Sequence, residues 1–154
     1  MAALAFIRFG FSGEAFVGAF FAAAVVVLAA IDLEQRRVPD RIVLPAIAVV
    51  LAAQLVLHPD ARLSYAAATV GAGLLLFVPL LVYPEGMGLG DVKLAMLLGA
   101  GLGLSVLTAF VVSFLAAFLV AVGILVARGS AGRKVGIPFV PFLALGGLVA
   151  LLLA

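Results

Sequence analysis

The 154-residue chain has no cysteine and no tryptophan, one histidine, and charge on only 10% of its positions. Without cysteine there is neither a disulfide framework nor a thiolate metal site, and His58 alone builds no imidazole cluster, so no metal and no cofactor is expected. A cysteine–histidine nucleophile pair is excluded on the same grounds, and no serine–histidine arrangement is read in the sequence. Nine basic and seven acidic residues leave a net charge of +2, too little to form a nucleic-acid footprint.

The chain is instead apolar: 68% of its residues are hydrophobic and its mean hydropathy is +1.45. A soluble fold needs a polar surface, whereas here long apolar runs follow one another with short charged breaks, as when lipid is the solvent. The pattern predicts an all-α, polytopic membrane helix bundle of about six transmembrane helices, with residues 1–154 forming a single membrane-embedded domain.

Met1 to Gly13 reads as a short interfacial helix or an extension of the first span, which runs from about Ala15 to Ile31. Arg8 before an apolar core also fits a secretory signal, but Asp32–Arg41 reads as a cytoplasmic loop rather than a mature N-terminus. Arg36, Arg37 and Arg41 place that loop on the cytoplasmic side and the N-terminus outside. Pro39 ends the first helical run, and Asp40 is placed to cap the next. The second span is Arg41 to Leu57, His58–Arg62 is an outer turn with His58 an ordinary loop residue, and the third span is Leu63 to Tyr83.

Val92 to Ala127 carries one charge, Lys93, and as a single helix would extend about 54 Å against a hydrocarbon core of roughly 30 Å. It must fold back, and Gly99–Ser105 is the weak point, giving a short fourth span at Asp91–Gly103 and a fifth at Ser105–Ala127. The hairpin puts Arg128, Arg133 and Lys134 on the same side as Arg36, Arg37, Arg41 and Lys93, as the positive-inside bias favours. A sixth span at Gly136–Leu153 opens irregularly at Pro138 and Pro141, and both termini then lie outside.

Within this pattern the stretch Glu85-Gly86-Met87-Gly88-Leu89-Gly90-Asp91-Val92-Lys93-Leu94 stands out, because a carboxylate at the edge of a hydrophobic segment is costly unless it is used. Asp32, at the end of span one, falls at a similar depth. Two carboxylates facing each other have the parts for acid–base catalysis on an amide, one taking a proton from water and one donating to the carbonyl oxygen. Their proximity makes them share a proton. Gly88 and Gly90 leave bare backbone beside Asp91 for another chain to approach.

Simpler roles compete. Asp32 has Arg36 one turn on as an ion-pair partner, and Asp91 suits a helix N-terminus. Lys93 lies about 200° around a helix from Asp91, so it is expected to reach lipid phosphates or to orient the loop. Glu85 is either part of a substrate approach or a loop charge, and Glu34 is solvated.

Gly88-Leu-Gly90-Asp91 matches the Gly-x-Gly-Asp motif of intramembrane aspartyl proteases, and the longer string resembles that of the type IV prepilin peptidases. Ile31-Asp-Leu-Glu with Val38-Pro-Asp40 is similar to their first aspartate motif, and Ile137-Pro-Phe-Val-Pro-Phe-Leu143 to their last-helix signature. The resemblance runs from about residue 20 to 147. It implies an endopeptidase that removes the basic leader of prepilins or pseudopilins at the cytoplasmic face, with Asp32 and Asp91 as the catalytic pair. Glu85, Gly88, Gly90 and Lys93 then belong to the substrate loop, and Pro39, Asp40 and Pro138 are supporting residues. Larger members carry a loop with paired cysteines associated with N-methylation. This chain has none, so it resembles the short stand-alone form found with tight-adherence (Flp-type) pili and archaeal preflagellins. The expected partners are a precursor protein and the bilayer, with self-association into a homo-oligomer left open. The runner-up is a small proton-coupled transporter using the same carboxylates, disfavoured by the lack of internal repeats. A purely structural subunit of an assembly machine is third.

Overall fold

The computed structural model describes residues 13–85, 87–134 and 136–154, so the N-terminal stretch discussed above lies, apart from Gly13, outside the described residues. Among the described residues there are six α-helices and no strands. They are α1 (Gly13–Gln35), α2 (Asp40–Leu57), α3 (Arg62–Val82), α4 (Leu89–Leu102), α5 (Val106–Arg128) and α6 (Val140–Leu153). Short 3-10 turns at Pro59–Ala61, Gly103–Ser105 and Gly129–Lys134 join α2 to α3, join α4 to α5, and follow α5.

Four apolar stretches are long enough to cross a membrane: Gly13–Gln35, Asp40–Leu57, Pro59–Val82 and Leu89–Lys134. The last is interrupted at Gly103, whose φ of +56° is open to glycine and unfavourable for L side chains. A Cβ there would also lie 3.1 Å from the Tyr65 ring. Asp91 near the start of this stretch and Lys134 at its end line one cavity, so the chain does reverse. α4 and α6 have 14 residues each, about 21 Å of helix, shorter than the hydrocarbon core. The expectation of about six spanning helices is thus met in helix number, while two of the six fall short of a full crossing.

α4 is the axis of the bundle. Beyond Lys93 it is apolar on every side, and it is buried along most of its length, the signature of a helix enclosed by others. Small residues let its neighbours close in. A Cβ on Gly99 would sit 2.3 Å from the Ala68 carbonyl oxygen of α3, and one on Gly101 would sit 2.4 Å from the Phe21 ring of α1. One on Gly147 of α6 would sit 2.4 Å from Leu98. The Gln54 side chain of α2 donates to the Gly101 carbonyl at 3.0 Å. α5 stands outside this ring and packs on α6, where Gly146 meets Ser113 and Ala109. Outward faces carry Leu63, Val82, Phe118 and Val126, as a lipid-facing surface requires.

Two helix ends differ from expectation. α1 runs on past Ile31 to Gln35, so Asp32 lies in its last turn and not in a loop. Polar residues there leave the apolar stripe but keep helical geometry until Arg36, whose left-handed φ of +51° ends the helix. Asp40 makes no side-chain cap bond: Pro39 takes the N-cap position, and its carbonyl accepts from Ile42 and Val43, both at 3.1 Å. Asp40 is the first helical residue, and its carboxylate turns to Lys93 instead.

Candidate active site

The last turn of α1 and the first turn of α4 meet at one end of the bundle. Asp32 and Asp91, 59 positions apart, are both 7% exposed, line the same cavity and interact electrostatically. The cavity measures about 860 Å³ and takes its remaining walls from the α1–α2 and α3–α4 connections, the turn after α5, and residues 136–140 before and at the start of α6.

Local bonding sets each carboxyl. Gly88 is the N-cap of α4, and Asp91 is the third helical residue, from which its Oδ2 reaches back to accept the Gly88 N–H at 3.1 Å. This is the carboxylate half of a capping box, and it fixes the side-chain direction. Oδ1 stays buried with no hydrogen-bond partner among the described residues. One oxygen thus orients the group. The Asp32 carbonyl accepts the Arg36 N–H at 2.7 Å, closing the last turn of α1, and the Arg36 guanidinium acts on the Asp32 carboxyl electrostatically. Capping by Asp91 and the Asp32–Arg36 attraction coexist with the paired arrangement.

The two motif glycines face different surroundings. A Cβ on Gly90 would fall 2.8 Å from Val38 Cγ2, so this glycine lets the α1–α2 connection lie against α4. At Gly88 a Cβ would meet nothing closer than 3.8 Å, and φ is −98°, which any residue adopts. Lys93 lines the cavity too, and its Nζ is bonded to Asp40, a contact in keeping with the loop-orienting role weighed beside lipid phosphates. Glu85 is exposed on the rim, and Pro138 lies in the non-helical stretch before α6 that lines the cavity. Pro39 starts α2, beside Val38 on the wall. Gly86 lies outside the described residues.

Sequence reasoning places Val38 in the first aspartate motif but does not find its contact with Gly90 or the Asp40–Lys93 pair, each joining residues about fifty positions apart without a local signal. It also took His58 for an ordinary loop residue, whereas its Nε2 stands 3.3 Å from Glu14 Oε1. Groups of three or more metal-ligating side chains are absent among the described residues.

The fold and this site define a membrane helix bundle with two buried carboxyl groups gathered at one end. A sequence model described as the type IV leader peptidase family matches residues 19–127, and the chain belongs to that family. Curated proteins named prepilin leader peptidase/N-methyltransferase are similar to it. That of Bacillus subtilis (strain 168) is 32% identical, over 97% of this chain and 60% of the relative. That of Xanthomonas campestris is 34% identical, over 92% and 51%. That of Burkholderia pseudomallei (strain 1026b) is 36% identical, over 98% and 50%. The chain therefore spans 50% to 60% of the length of these relatives. No solved structure matches it significantly.

Proposed function

We propose that the chain is an intramembrane aspartyl endopeptidase that removes the leader of type IV prepilin-like precursors at the cytoplasmic face of the cell membrane, acting as one membrane-embedded domain. The observation that carries this reading is the meeting of Asp32 and Asp91, from helices remote in sequence, as two buried carboxyls on one cavity. Family membership supplies the precursor class.

The geometry suits general acid–base chemistry on an amide. A water between the carboxyls loses a proton to one of them as it attacks the carbonyl carbon. The other gives its proton to the carbonyl oxygen; on collapse the leaving amine takes the proton held by the first carboxyl, and a hydroxyl of the tetrahedral species returns its proton to the second. The Gly88 N–H holds one oxygen of Asp91 throughout, so the carboxyl does not need to reorganise during the step. A precursor enters past the rim formed by Tyr83, Glu85 and Met87. The N-methyltransferase activity named for the relatives is not part of the proposal, because this sequence has none of the cysteines expected for it.

The test is co-expression of the full chain with a candidate prepilin, with leader removal followed on a gel. Asp32→Asn and Asp91→Asn should each abolish cleavage while membrane levels stay normal. Undiminished processing by either variant removes that residue from the catalytic pair.

A further inference from the structure

Among the described residues, Arg36 is the one residue other than glycine with a left-handed backbone, at φ +51°. It follows the last residue of α1, and its N–H donates to the Asp32 carbonyl at 2.7 Å. This is the helix ending in which the chain turns left-handed one position past the cap, and glycine is its usual occupant because a Cβ crowds the following carbonyl. An arginine there is less stable than glycine, and the closing hydrogen bond does not need it, because any residue but proline has the N–H. The gain from arginine must lie in its side chain.

That side chain lines the aspartate cavity. Its Nη1 lies 3.9 Å from where a Cβ on Gly136 would be, so it reaches the stretch before α6. Arg36 is exposed and keeps its own hydration, while the Asp32 carboxyl on which its charge acts is buried. The two aspartates differ in how much they need a cation. Asp91 sits in the first turn of α4, at the positive end of a helix, and accepts the Gly88 N–H at 3.1 Å. Asp32 sits in the last turn of α1, where the unpaired carbonyls form the negative end of the helix and disfavour an anion. Lys93, the cation on α4, is already bonded to Asp40.

On the proposed peptidase reading, we infer that Arg36 is a positioning residue of the cleavage site. Its guanidinium offsets the negative helix end at Asp32, so that the carboxyl pair holds its charge there, and the chain accepts a left-handed arginine to place it.

The test is cleavage kinetics and thermal unfolding of the same purified full-length variants, with Asp32→Asn beside them. Arg36→Gln keeps the crowded backbone and removes the charge, so kcat should fall about tenfold or more with KM and Tm nearly unchanged. Arg36→Lys should recover much of that loss. Arg36→Gly removes the charge and relieves the backbone, so kcat should fall as far while Tm rises by about 2–4 °C. An arginine that only closed the helix would not give less activity together with more stability. A Gln or Gly variant as active as the parent, a loss confined to KM, a loss that lysine does not restore, or a Gly variant of lower Tm overturns the inference. With Asp32→Asn inactive, each of these leaves the peptidase reading standing, whereas cleavage by Asp32→Asn overturns both.

Discussion

Lys93 of α4 donates to the Asp40 carboxylate at the start of α2, tying the helix that carries Asp91 to the connection that follows Asp32. The Asp40 side chain is 58% exposed and that of Lys93 25%, so the pair contributes about 1 kcal/mol or less to stability. Its consequence lies in position, since a displacement of about 1 Å in a reacting group costs up to roughly a hundredfold in rate. Lys93→Met and Asp40→Asn should each lower kcat for leader cleavage by about tenfold or more while KM and thermal stability change little. Exchanging the two charges, Asp40→Lys with Lys93→Asp, should recover much of the loss. Kinetics on purified full-length variants read this directly, and a loss confined to KM would assign Lys93 to substrate binding instead.

Gly90 makes the second tie between the same two segments, and it is the more demanding one. Its missing Cβ is occupied by Val38, with atoms at 2.8 and 2.9 Å from where that Cβ would lie. Gly90→Ala should push the α1–α2 connection off α4, separate the carboxyls and remove most cleavage, with recovery when Val38→Ala makes room. Gly88→Ala should be mild, because its neighbours stand at ordinary contact distance and the N–H to Asp91 remains. Cleavage assays on the three variants rank them, and a Gly88 variant as inactive as Gly90→Ala would restore the view that bare backbone at Gly88 serves substrate.

These contacts mark where reading the sequence stops. Counting apolar residues against helix rise places Asp32 and Asp91 at one depth, and the positive-inside bias predicts the reversal near Gly103. Both follow from constraints that act along the chain. The α1 terminus was drawn at Ile31 because hydropathy ends there, yet the backbone keeps its helix through Gln35 on residues without an apolar face. Val38 against Gly90 and Asp40 against Lys93 depend on three-dimensional placement, so a residue read as a cap proved to be half of an ion pair. The bond from Gln54 to Gly101 was equally hidden: one glutamine in an apolar run carries no sign of its partner 47 residues away.

Glycine substitutions elsewhere should separate packing from propensity. A Cβ at Gly146 would lie 2.1 Å from Ser113 Oγ and 2.2 Å from the Ala109 carbonyl oxygen, so Gly146→Ala should part α5 from α6 at a cost of about 1–3 kcal/mol or more. Adding Ser113→Ala should relieve only part of it, since the backbone oxygen stays. Gly123 of α5 has nothing within 4 Å, and Gly123→Ala should stabilise by about 0.5–1 kcal/mol through helix propensity alone. Thermal unfolding in one detergent tests the opposite signs, and equal effects would mean that the α5–α6 contact is loose.

The lack of native cysteine makes the proposed orientation accessible to labelling, because each introduced thiol is the only target. Glu34 near the end of α1 and Ala131 after α5 are exposed and belong to segments that reach the aspartate cavity, while Asp60 is exposed in the turn between α2 and α3 at the other end. If Arg36, Arg37, Arg133 and Lys134 hold the aspartate end on the cytoplasmic side, Glu34→Cys and Ala131→Cys should resist a membrane-impermeant maleimide in intact cells and react after permeabilisation. Asp60→Cys should react in both. The shared behaviour of the first two follows from the reversal at Gly103, and the contrast with Asp60 follows from the basic residues being gathered at one end. Labelling of Glu34→Cys and Ala131→Cys from opposite sides would contradict the fold, and joint labelling from outside would contradict cleavage at the cytoplasmic face.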